Sequence, residues 1–333
     1  MRRRVTVVVV HSVDISPSVM FLIVGGFLVA AAVVLRLASR PAVESYAGKA
    51  VFVTGCDSGF GRMMALRFSE AGAHVFAACL TQSAAETLTA EAKGKSGRVT
   101  TVILNVTNEQ QVQEAFAFVK AELEKEGKQL YALINNAGIN SGWYVEMTDM
   151  SEYRKVMDVN YLGPVRVTKT FLPLIQRPGG RVVGVVSATG VYALRGVSAY
   201  AGAKFAHSAF MDALRNEMGY CGIKVVKVMP GGHKTEAIKR FDDDVGAGRR
   251  FTNASEDVKS RYNPKLAENF LATAAKYSTS LGDPINVVNA VERTLMLKNP
   301  DAAYYVGNDA WLLAKVLAIL PISWSDAMQE ATQ

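Results

Sequence analysis

The 333-residue chain is half hydrophobic and carries a formal net charge of +7, which suits one large domain with short extensions. Its basic residues are scattered apart from Arg2, Arg3 and Arg4 and form no stripe interleaved with aromatic side chains, so nucleic-acid binding is not expected. Three widely spaced cysteines and four separated histidines give neither a disulfide framework nor a metal-ligand spacing, and we expect no metal site.

Residues 1–40 are predicted to form a membrane anchor with its flanks. The run from Val19 to Leu35 has no charged residue, and residues 18–38 contain only Arg36. About 20 helical residues cross a hydrocarbon layer of roughly 30 Å. A cleaved signal peptide and a mitochondrial presequence are the alternatives, although the apolar run is long and no Ala-x-Ala site follows it. We therefore expect residues 19–38 to contact membrane lipid.

Residues 41–48 form a predicted linker, after which strand-like and helix-like segments alternate. The predicted strands are Ala50–Val53, His74–Ala78, Val99–Leu104, Leu130–Ile134, Arg181–Val186, Lys224–Met229 and Ala303–Val306. The predicted helices are Arg62–Glu70, Ala84–Lys93, Glu109–Glu126, Tyr153–Leu174, Ala203–Met218 and Pro284–Leu297. This alternation predicts an α/β fold of the Rossmann type, a doubly wound parallel sheet of about seven strands with helices on both faces.

The main domain is predicted to span residues 49–308 and to include a lid near residues 236–280, a charged and irregular stretch with some helical character. Residues 309–333 follow as a C-terminal apolar segment. Its run Trp311–Ile322 is too short to cross a bilayer, and we expect a single helix there. That helix either packs into the core or, as the sharper hypothesis, lies at a lipid surface through residues 311–322.

Small and polar residues follow three of the predicted strands. The first strand leads into Thr54-Gly55-Cys56-Asp57-Ser58-Gly59-Phe60-Gly61, and the fourth into Asn135-Asn136-Ala137-Gly138. The sixth leads into Pro230-Gly231-Gly232-His233-Lys234-Thr235. Glycines between a strand and a helix allow a tight turn and bring backbone N–H groups close to a pyrophosphate. These segments therefore predict a dinucleotide site, with Thr235 near a carboxamide.

The stretch from Val182 to Lys204 carries the predicted chemistry. Ser187 ends an apolar strand. Tyr200 and Lys204 are four residues apart at the start of a helical segment, and on a helix they would share one face. We expect the ammonium to lower the pKa of the phenol from about 10 toward the range useful for proton transfer. Ser187 adds a hydroxyl for the substrate oxygen. Taken alone, such a pair is more often a half-buried tyrosine beside a snorkelling lysine.

In order and spacing, these segments resemble the motifs of the short-chain dehydrogenase/reductases from roughly Lys49 to Asn308. The glycine turn is similar to that of the branch with retinol dehydrogenases, hydroxysteroid dehydrogenases and 3-hydroxybutyrate dehydrogenase. The resemblance implies hydride transfer between an alcohol or carbonyl substrate and a nicotinamide. It implies that Tyr200 is the acid/base, that Lys204 binds the ribose and tunes Tyr200, and that Ser187 holds the substrate oxygen. It also implies that Asn160 keeps a water in a proton relay to Lys204.

The resemblance assigns most of the predicted cofactor contacts to the three turns. The full set is Thr54, Gly55, Asp57, Ser58, Gly59, Phe60, Gly61, Asn105, Val106, Asn136, Ala137, Gly138, Tyr200, Lys204, Pro230, Gly231 and Thr235. Asn105 stands where the family usually has an Asp near the adenine, and its amide oxygen is expected to accept a hydrogen bond there.

NAD is favoured over NADP as the cofactor. Neither an acidic residue nor an arginine follows the second strand, and Asp57 would repel a 2′-phosphate brought close to it. The alternative is that Asp57 only caps its turn or the next helix.

A lipophilic substrate such as a retinoid or a steroid is expected, because the anchor and the apolar C-terminal run place the site near lipid. The alternatives are 3-hydroxybutyrate and, in a different class, an inactive membrane-tethered nucleotide-binding protein. We expect a homo-oligomer in the membrane of the endoplasmic reticulum, with the mitochondrial inner membrane as the alternative.

Overall fold

The computed structural model describes residues 24–26, 45–236, 247–270, 272 and 280–330. The chain divides into two units, Met1–Ala42 and Val43–Gln333. Of the first unit only residues 24–26 are described, as exposed helix, so the predicted anchor lies almost wholly outside the described residues. In the part of the chain that is described, no helix is both long enough and apolar enough to cross a membrane.

The second unit is built on a seven-stranded parallel sheet with the order β3-β2-β1-β4-β5-β6-β7. Its strands are β1 Ala50–Thr54, β2 His74–Cys79, β3 Arg98–Ile103, β4 Leu130–Asn135, β5 Arg181–Val185, β6 Lys224–Pro230 and β7 Ala303–Val306. All seven predicted strands are confirmed, with ends that differ by no more than one residue. The predicted parallel α/β sheet is therefore correct.

Helices connect the strands on both faces of the sheet. They are α1 Gly59–Glu70, α2 Gln82–Glu91, α3 Glu109–Lys125, α4 Met150–Met157, α5 Gly163–Phe171, α6 Ser198–Gly219, α7 Ala247–Asn253, α8 Glu256–Ser260, α9 Ile285–Met296, α10 Asn308–Lys315 and α11 Ile322–Glu330. The chain runs outward from β1 to β3 and then returns to β4 on the other side of β1. This reversal leaves a crevice at the carboxyl ends of β1 and β4, where open α/β sheets bind ligands.

Each face of the sheet buries its own core, because alternate residues of a strand point to opposite sides. On one face Val51 and Val53 of β1 belong to a cluster with Phe68 of α1. On the other face the ring of Phe52 packs on Phe171 of α5, with 4.4 Å between ring centroids. Every residue of β1, β2, β4 and β5 is buried, which explains why these strands are continuous apolar runs in the sequence.

The helix predicted at Ala203–Met218 starts five residues earlier, at Ser198, and two other predicted helices are interrupted in the structure. The stretch predicted at 153–174 consists of α4, a π-helical turn at Asp158–Leu162, and α5, which ends at Phe171. The single helix predicted at 311–322 is interrupted after Lys315 and continues through a 3₁₀ turn before α11 starts at Ile322. Pro321 has no amide to donate and keeps Leu320 extended at φ −71° and ψ 152°, so no helix runs through this point.

Candidate active site

The glycine-rich turn connects β1 to α1, and two of its glycines leave no room for a side chain. Gly55 has φ of +72°, and a Cβ on it would lie 2.8 Å from the Cα of Ala137. A Cβ on Gly61 would lie 2.1 Å from the carbonyl oxygen of Gly55. The first turn of α1 is thereby pressed against the end of β1. Its N–H groups and the positive end of the helix dipole are suited to an anionic phosphate.

Asn136 holds this turn from the neighbouring strand. The amides of Asn136 and Ala137 both donate to Thr54 Oγ1 at 3.0 Å. Asn136 Nδ2 donates to the carbonyl oxygens of Thr54 and Gly55, at 2.9 Å and 3.1 Å. The structure thus gives the side chain of Asn136 and the hydroxyl of Thr54 a positioning role. The direct cofactor contacts predicted for these residues remain predictions.

Asp57 connects the glycine turn to the end of β2. Its Oδ2 accepts a hydrogen bond from the Leu80 amide at 2.8 Å, and its Oδ1 accepts from the amide and the hydroxyl of Thr81, both at 3.1 Å. Thr81 is the residue that caps α2. Asp57 therefore braces the glycine turn against the residues that lead into α2, a structural role different from the expected cap of its own turn or of the next helix. The same contacts fix its carboxylate at the carboxyl end of β2, where Rossmann folds place the adenosine ribose.

The residues after β3 are engaged with the protein. Asn105 Oδ1 accepts hydrogen bonds from the amide of Thr107 at 3.0 Å and from its hydroxyl at 2.8 Å. The oxygen predicted to accept a bond from the adenine thus already has two donors. The carbonyl oxygen of Val106 accepts from Arg166 Nη1 at 2.6 Å, which ties this segment to α5.

The loop after β6 meets the glycine turn. A Cβ on Gly59 would lie 3.8 Å from the Thr235 side chain, and the ring of His233 contacts Phe60 edge-on with 5.8 Å between centroids. The turn after β1 and the loop after β6, both predicted to bind the cofactor, are therefore adjacent in the fold.

Ser187, Tyr200 and Lys204 lie together beside this loop. Ser187 is buried at the end of β5, is hydrogen bonded to Tyr200, and accepts from the Thr189 hydroxyl at 2.9 Å. Lys204 Nζ lies 5.5 Å from the centroid of the Tyr200 ring, as expected for neighbours on one face of α6. The structure thus brings together the phenol, the hydroxyl and the ammonium that the sequence predicted.

The pKa of Tyr200 differs in direction from the prediction. Burial raises the pKa of Tyr200, and the hydrogen bond from Ser187 offsets only part of that effect. The direction is therefore opposite to the predicted lowering, because burial disfavours the phenolate. Lys204 is itself buried and donates to the carbonyl oxygen of Val185 at 3.1 Å. Burial lowers the pKa of Lys204 to about 8.

Asn160 is fully buried in the π-helical turn. Its Oδ1 accepts from the Ile139 amide at 2.8 Å, and its Nδ2 donates to the Ile139 carbonyl oxygen at 2.7 Å. A Cβ on Gly138 would lie 3.3 Å from Asn160 Oδ1 and 3.7 Å from Lys204 Nζ. Asn160 thus fixes the loop after β4 beside Lys204. The oxygen and the nitrogen of the Asn160 side-chain amide are thus both hydrogen bonded to Ile139. The water predicted for the proton relay would therefore have to bind another atom of Asn160.

Comparison with known proteins agrees with this geometry. A family model described as short chain dehydrogenase matches residues 49–246. The chain belongs to this family. It is 36% identical to rat (Rattus norvegicus) retinol dehydrogenase 7 over 293 residues, which cover 87% of this chain and 90% of that protein. It is also 36% identical to rat mitochondrial D-beta-hydroxybutyrate dehydrogenase over 293 residues, 85% of this chain and 84% of the relative.

Solved structures share the fold. A short-chain dehydrogenase/reductase from Burkholderia phymatum in complex with NAD superimposes with a TM-score of 0.65 at 19% identity, covering 86% of this chain and 96% of that one. A short-chain dehydrogenase from Burkholderia cenocepacia in complex with NADP superimposes with a TM-score of 0.63 at 23% identity, covering 86% and 99%. By its family and its relatives, this chain is an oxidoreductase acting on an alcohol or a carbonyl. Structural neighbours with the same fold contain NAD in one case and NADP in another.

An aromatic cluster that no sequence pattern indicated lies beside the loop into Tyr200. Trp143 is buried, and its ring packs edge-on against Tyr144 and Phe270, with centroids 4.9 Å and 5.3 Å away. A Cβ on Gly196 would lie 3.4 Å from both Trp143 and Phe270. Gly196 belongs to the loop that leads into Tyr200, so the cluster adjoins the catalytic helix. The cluster comprises Trp143, Tyr144, Met147, Phe251, Leu266, Ala267 and Phe270.

Two ion pairs join the described part of the lid to α4 and to the loop that precedes it. Both guanidinium Nη atoms of Arg250 donate to the Glu152 carboxylate, at 2.6 Å and 2.7 Å. Arg261 Nη2 donates to Glu146 at 2.7 Å. Arg250 and Glu152 are each about one-fifth exposed, whereas Arg261 and Glu146 are more open to solvent. α7 and α8 confirm that this segment is partly helical.

Proposed function

We propose that this short-chain dehydrogenase interconverts a lipophilic alcohol and its carbonyl, of the retinoid or steroid class. The observation that carries the proposal is the composition of the lid. Its contact with the loop after β4 is a cluster of aromatic and aliphatic side chains, with Trp143 and Phe270 beside the loop into Tyr200. The arginines of the two ion pairs already have carboxylate partners. These features favour an uncharged and largely apolar substrate.

The catalytic roles follow from the contacts of Tyr200. In the oxidation direction Tyr200 acts in its phenolate form and takes the proton of the substrate hydroxyl, while Ser187, which is bonded to the Tyr200 oxygen, holds the substrate oxygen. When bound, the nicotinamide supplies the hydride chemistry. Lys204 stands beside the Tyr200 ring, where its charge stabilises the phenolate. Carbonyl reduction uses the same groups with the proton moving from Tyr200 to the substrate.

A 3-hydroxybutyrate dehydrogenase is the second candidate, favoured by the likeness to the rat hydroxybutyrate enzyme. Its substrate carries a carboxylate, which would need a cation in the site. The test is turnover by purified protein with all-trans-retinol, a hydroxysteroid and D-3-hydroxybutyrate, each with NAD and with NADP. Retinol or steroid turnover well above that of hydroxybutyrate is expected. The opposite ranking would replace the first proposal by the second, and turnover of none of the three would contradict both.

NAD is proposed as the preferred cofactor, because Asp57 fixes a carboxylate at the end of β2. Asp57→Asn keeps a side-chain acceptor and removes the charge, so the efficiency with NADP relative to NAD should rise about tenfold, and more in Asp57→Arg. Glu86→Gln removes an exposed charge from α2 and serves as the matched control. A wild-type preference for NADP, or an unchanged ratio in both Asp57 variants, would refute this role.

Membrane association is proposed through residues 19–38 and through the C-terminal segment. The latter exposes a group of large apolar side chains: Trp311, Ile319, Ile322 and Trp324. Protein lacking residues 1–40 should still sediment in part with phosphatidylcholine vesicles. Adding Trp311→Ser and Trp324→Ser to this truncated protein should abolish the remaining vesicle binding. Tyr220→Ser removes an exposed aromatic ring elsewhere and should change nothing. Equal sedimentation of all three proteins would contradict the C-terminal contact.

A further inference from the structure

Asp309, in the first turn of α10, lies directly against the loop after β6. Its Oδ2 accepts a hydrogen bond from the Gly232 amide at 2.7 Å. A Cβ on Gly231 would lie 2.1 Å from Asp309 Oδ1 and 2.3 Å from Oδ2. The carboxylate is therefore packed on the Gly231–Gly232 backbone, and only a glycine at position 231 leaves space for it.

The same loop has backbone partners on two other elements. The Gly231 amide donates to the Val306 carbonyl oxygen at 2.9 Å, and the Lys234 amide donates to that of Gly282 at 3.0 Å. Asp309 adds a bond from a carboxylate, which is stronger than a bond between two neutral groups. The Gly231–Gly232 peptide is thus anchored to the end of β7 and to the start of α10.

The location of this peptide matters because the loop reaches the site at both of its ends. Pro230 ends β6, which neighbours β5 and therefore Ser187, and Thr235 lies against Gly59 of the glycine turn. A displacement of the Gly231–Gly232 backbone would move Thr235 relative to that turn. Small misplacements of binding groups are costly, because catalysis and binding depend on preformed geometry.

We propose that Asp309 is a positioning residue for the dinucleotide: it holds the loop after β6 in the conformation that receives the nicotinamide end. The proposal rests on the proposed oxidoreductase function and on the family resemblance that assigns Pro230, Gly231 and Thr235 to the cofactor. Asp309 acts through Gly232, and its contribution belongs to cofactor affinity and leaves the proton transfer at Tyr200 unchanged.

The experiment compares Asp309→Ala, Asp309→Asn and the wild type, with Asp326→Ala as control for loss of an exposed C-terminal carboxylate. Hydrogen exchange of residues 229–236 is measured on unliganded protein, and NADH binding is measured by fluorescence. Asp309→Ala should exchange at least tenfold faster at the Gly232 amide and bind NADH about tenfold more weakly. Asp309→Asn keeps an uncharged acceptor and should lose about threefold in affinity. Asp326→Ala should match the wild type.

The kinetic readout separates positioning from general destabilisation. In Asp309→Ala the KM for the dinucleotide should rise while the KM for the alcohol and the saturated rate change less than twofold. Unchanged exchange at residues 229–236, or unchanged NADH affinity of the folded protein, overturns the proposal. If Asp309→Ala does not fold, wild-type exchange and affinity in Asp309→Asn overturn it. A wild type that binds no NADH refutes the proposed function, and the exchange measurement still decides whether Asp309 holds the loop.

Discussion

The two walls of the site are held together by different kinds of contact. On the cofactor side, meaning the turn after β1 and the loops after β4 and β6, the contacts include close backbone approaches such as that of Gly61 on Gly55, together with side-chain bonds to backbone groups such as that of Asn136. On the lid side, meaning α7, α8, α4 and the loop between β4 and α4, they are side-chain ion pairs and aromatic packing. Arg250 with Glu152 is the most enclosed of these pairs.

This difference has a physical consequence for how each wall tolerates change. A backbone atom has no alternative rotamer, so a clash on the cofactor side must move a strand or a helix. A broken ion pair costs less, because partly exposed partners recover hydration. Substitutions of the close-packed glycines on the cofactor side should therefore cost cofactor affinity and stability together, whereas substitutions on the lid side should have smaller effects.

Tyr200 lies where the two walls meet, and its removal should have the largest effect on the rate. Tyr200→Phe deletes the hydroxyl bonded to Ser187 and should lower kcat by about 10²–10⁴. NADH affinity should stay within about threefold of wild type, because the turns that hold the dinucleotide are untouched. Steady-state kinetics and NADH fluorescence measure both quantities. Tyr220→Phe, at a 96% exposed tyrosine, is the matched control.

The rigidity of the cofactor side can be tested most directly at Gly61. Gly61→Ala places a methyl group 2.1 Å from the Gly55 carbonyl oxygen, and we expect at least about tenfold loss of NADH affinity together with a lower Tm. In Gly202→Ala the added methyl group has no heavy atom within 4 Å, and an alanine in α6 should raise stability by up to about 1 kcal/mol. A Gly61→Ala protein with normal stability and affinity would show that the cofactor side is not rigid.

Arg250 tests the lid side. Arg250→Ala breaks both bonds to Glu152 and should cost about 1–2 kcal/mol, between the values for exposed and buried pairs. We expect the substrate KM to rise about five- to tenfold while NADH affinity remains unchanged. Arg261→Ala removes the more exposed pair with Glu146 and should have an effect below about twofold. An equal loss of NADH affinity in Arg250→Ala would mean that the two walls are mechanically coupled.

The sequence predicted the cofactor side well and the lid side poorly, for a physical reason. A strand covered on both faces needs consecutive apolar residues, and a turn packed like Gly55 on Ala137 needs glycine, so both leave local patterns. Arg250 and Glu152 are remote in sequence, and a pairing between surface charges follows no spacing. Asp309 and Gly232 are also remote in sequence, and no sequence pattern indicates that they are in contact.

Two errors had a local signal that could have been used. Pro164 within the stretch 153–174 and Pro321 within 311–322 both remove an amide that a continuous helix requires. The first accompanies the π-helical turn around Asn160, and the second the break before α11. The raised pKa of Tyr200 had no such signal, because a sequence gives the neighbouring lysine but not the loss of water.

The stability of the lid is expected to depend on pH. Hydrogen bonds and charge from Arg250 lower the pKa of Glu152 from an ordinary value of 4.5 to about 2. A carboxylate with a lower pKa in the folded state contributes stability above the unfolded value, and this contribution is lost as the pH falls toward the folded value. The shift corresponds to at most about 3 kcal/mol, and screening at these partly exposed side chains reduces it.

The wild type should therefore be more stable than Arg250→Gln by about 1–2 kcal/mol at pH 6, and this gap should shrink steadily between about pH 4.5 and pH 2. Urea unfolding of both proteins across this range measures the gap, with Arg261→Gln as the control for an exposed pair. Since the other titrating carboxylates are common to both proteins, their contributions cancel in the difference. A gap that is constant from pH 6 to pH 3 would show that Arg250 stabilises the lid by packing, and that Glu152 is not the partner that matters.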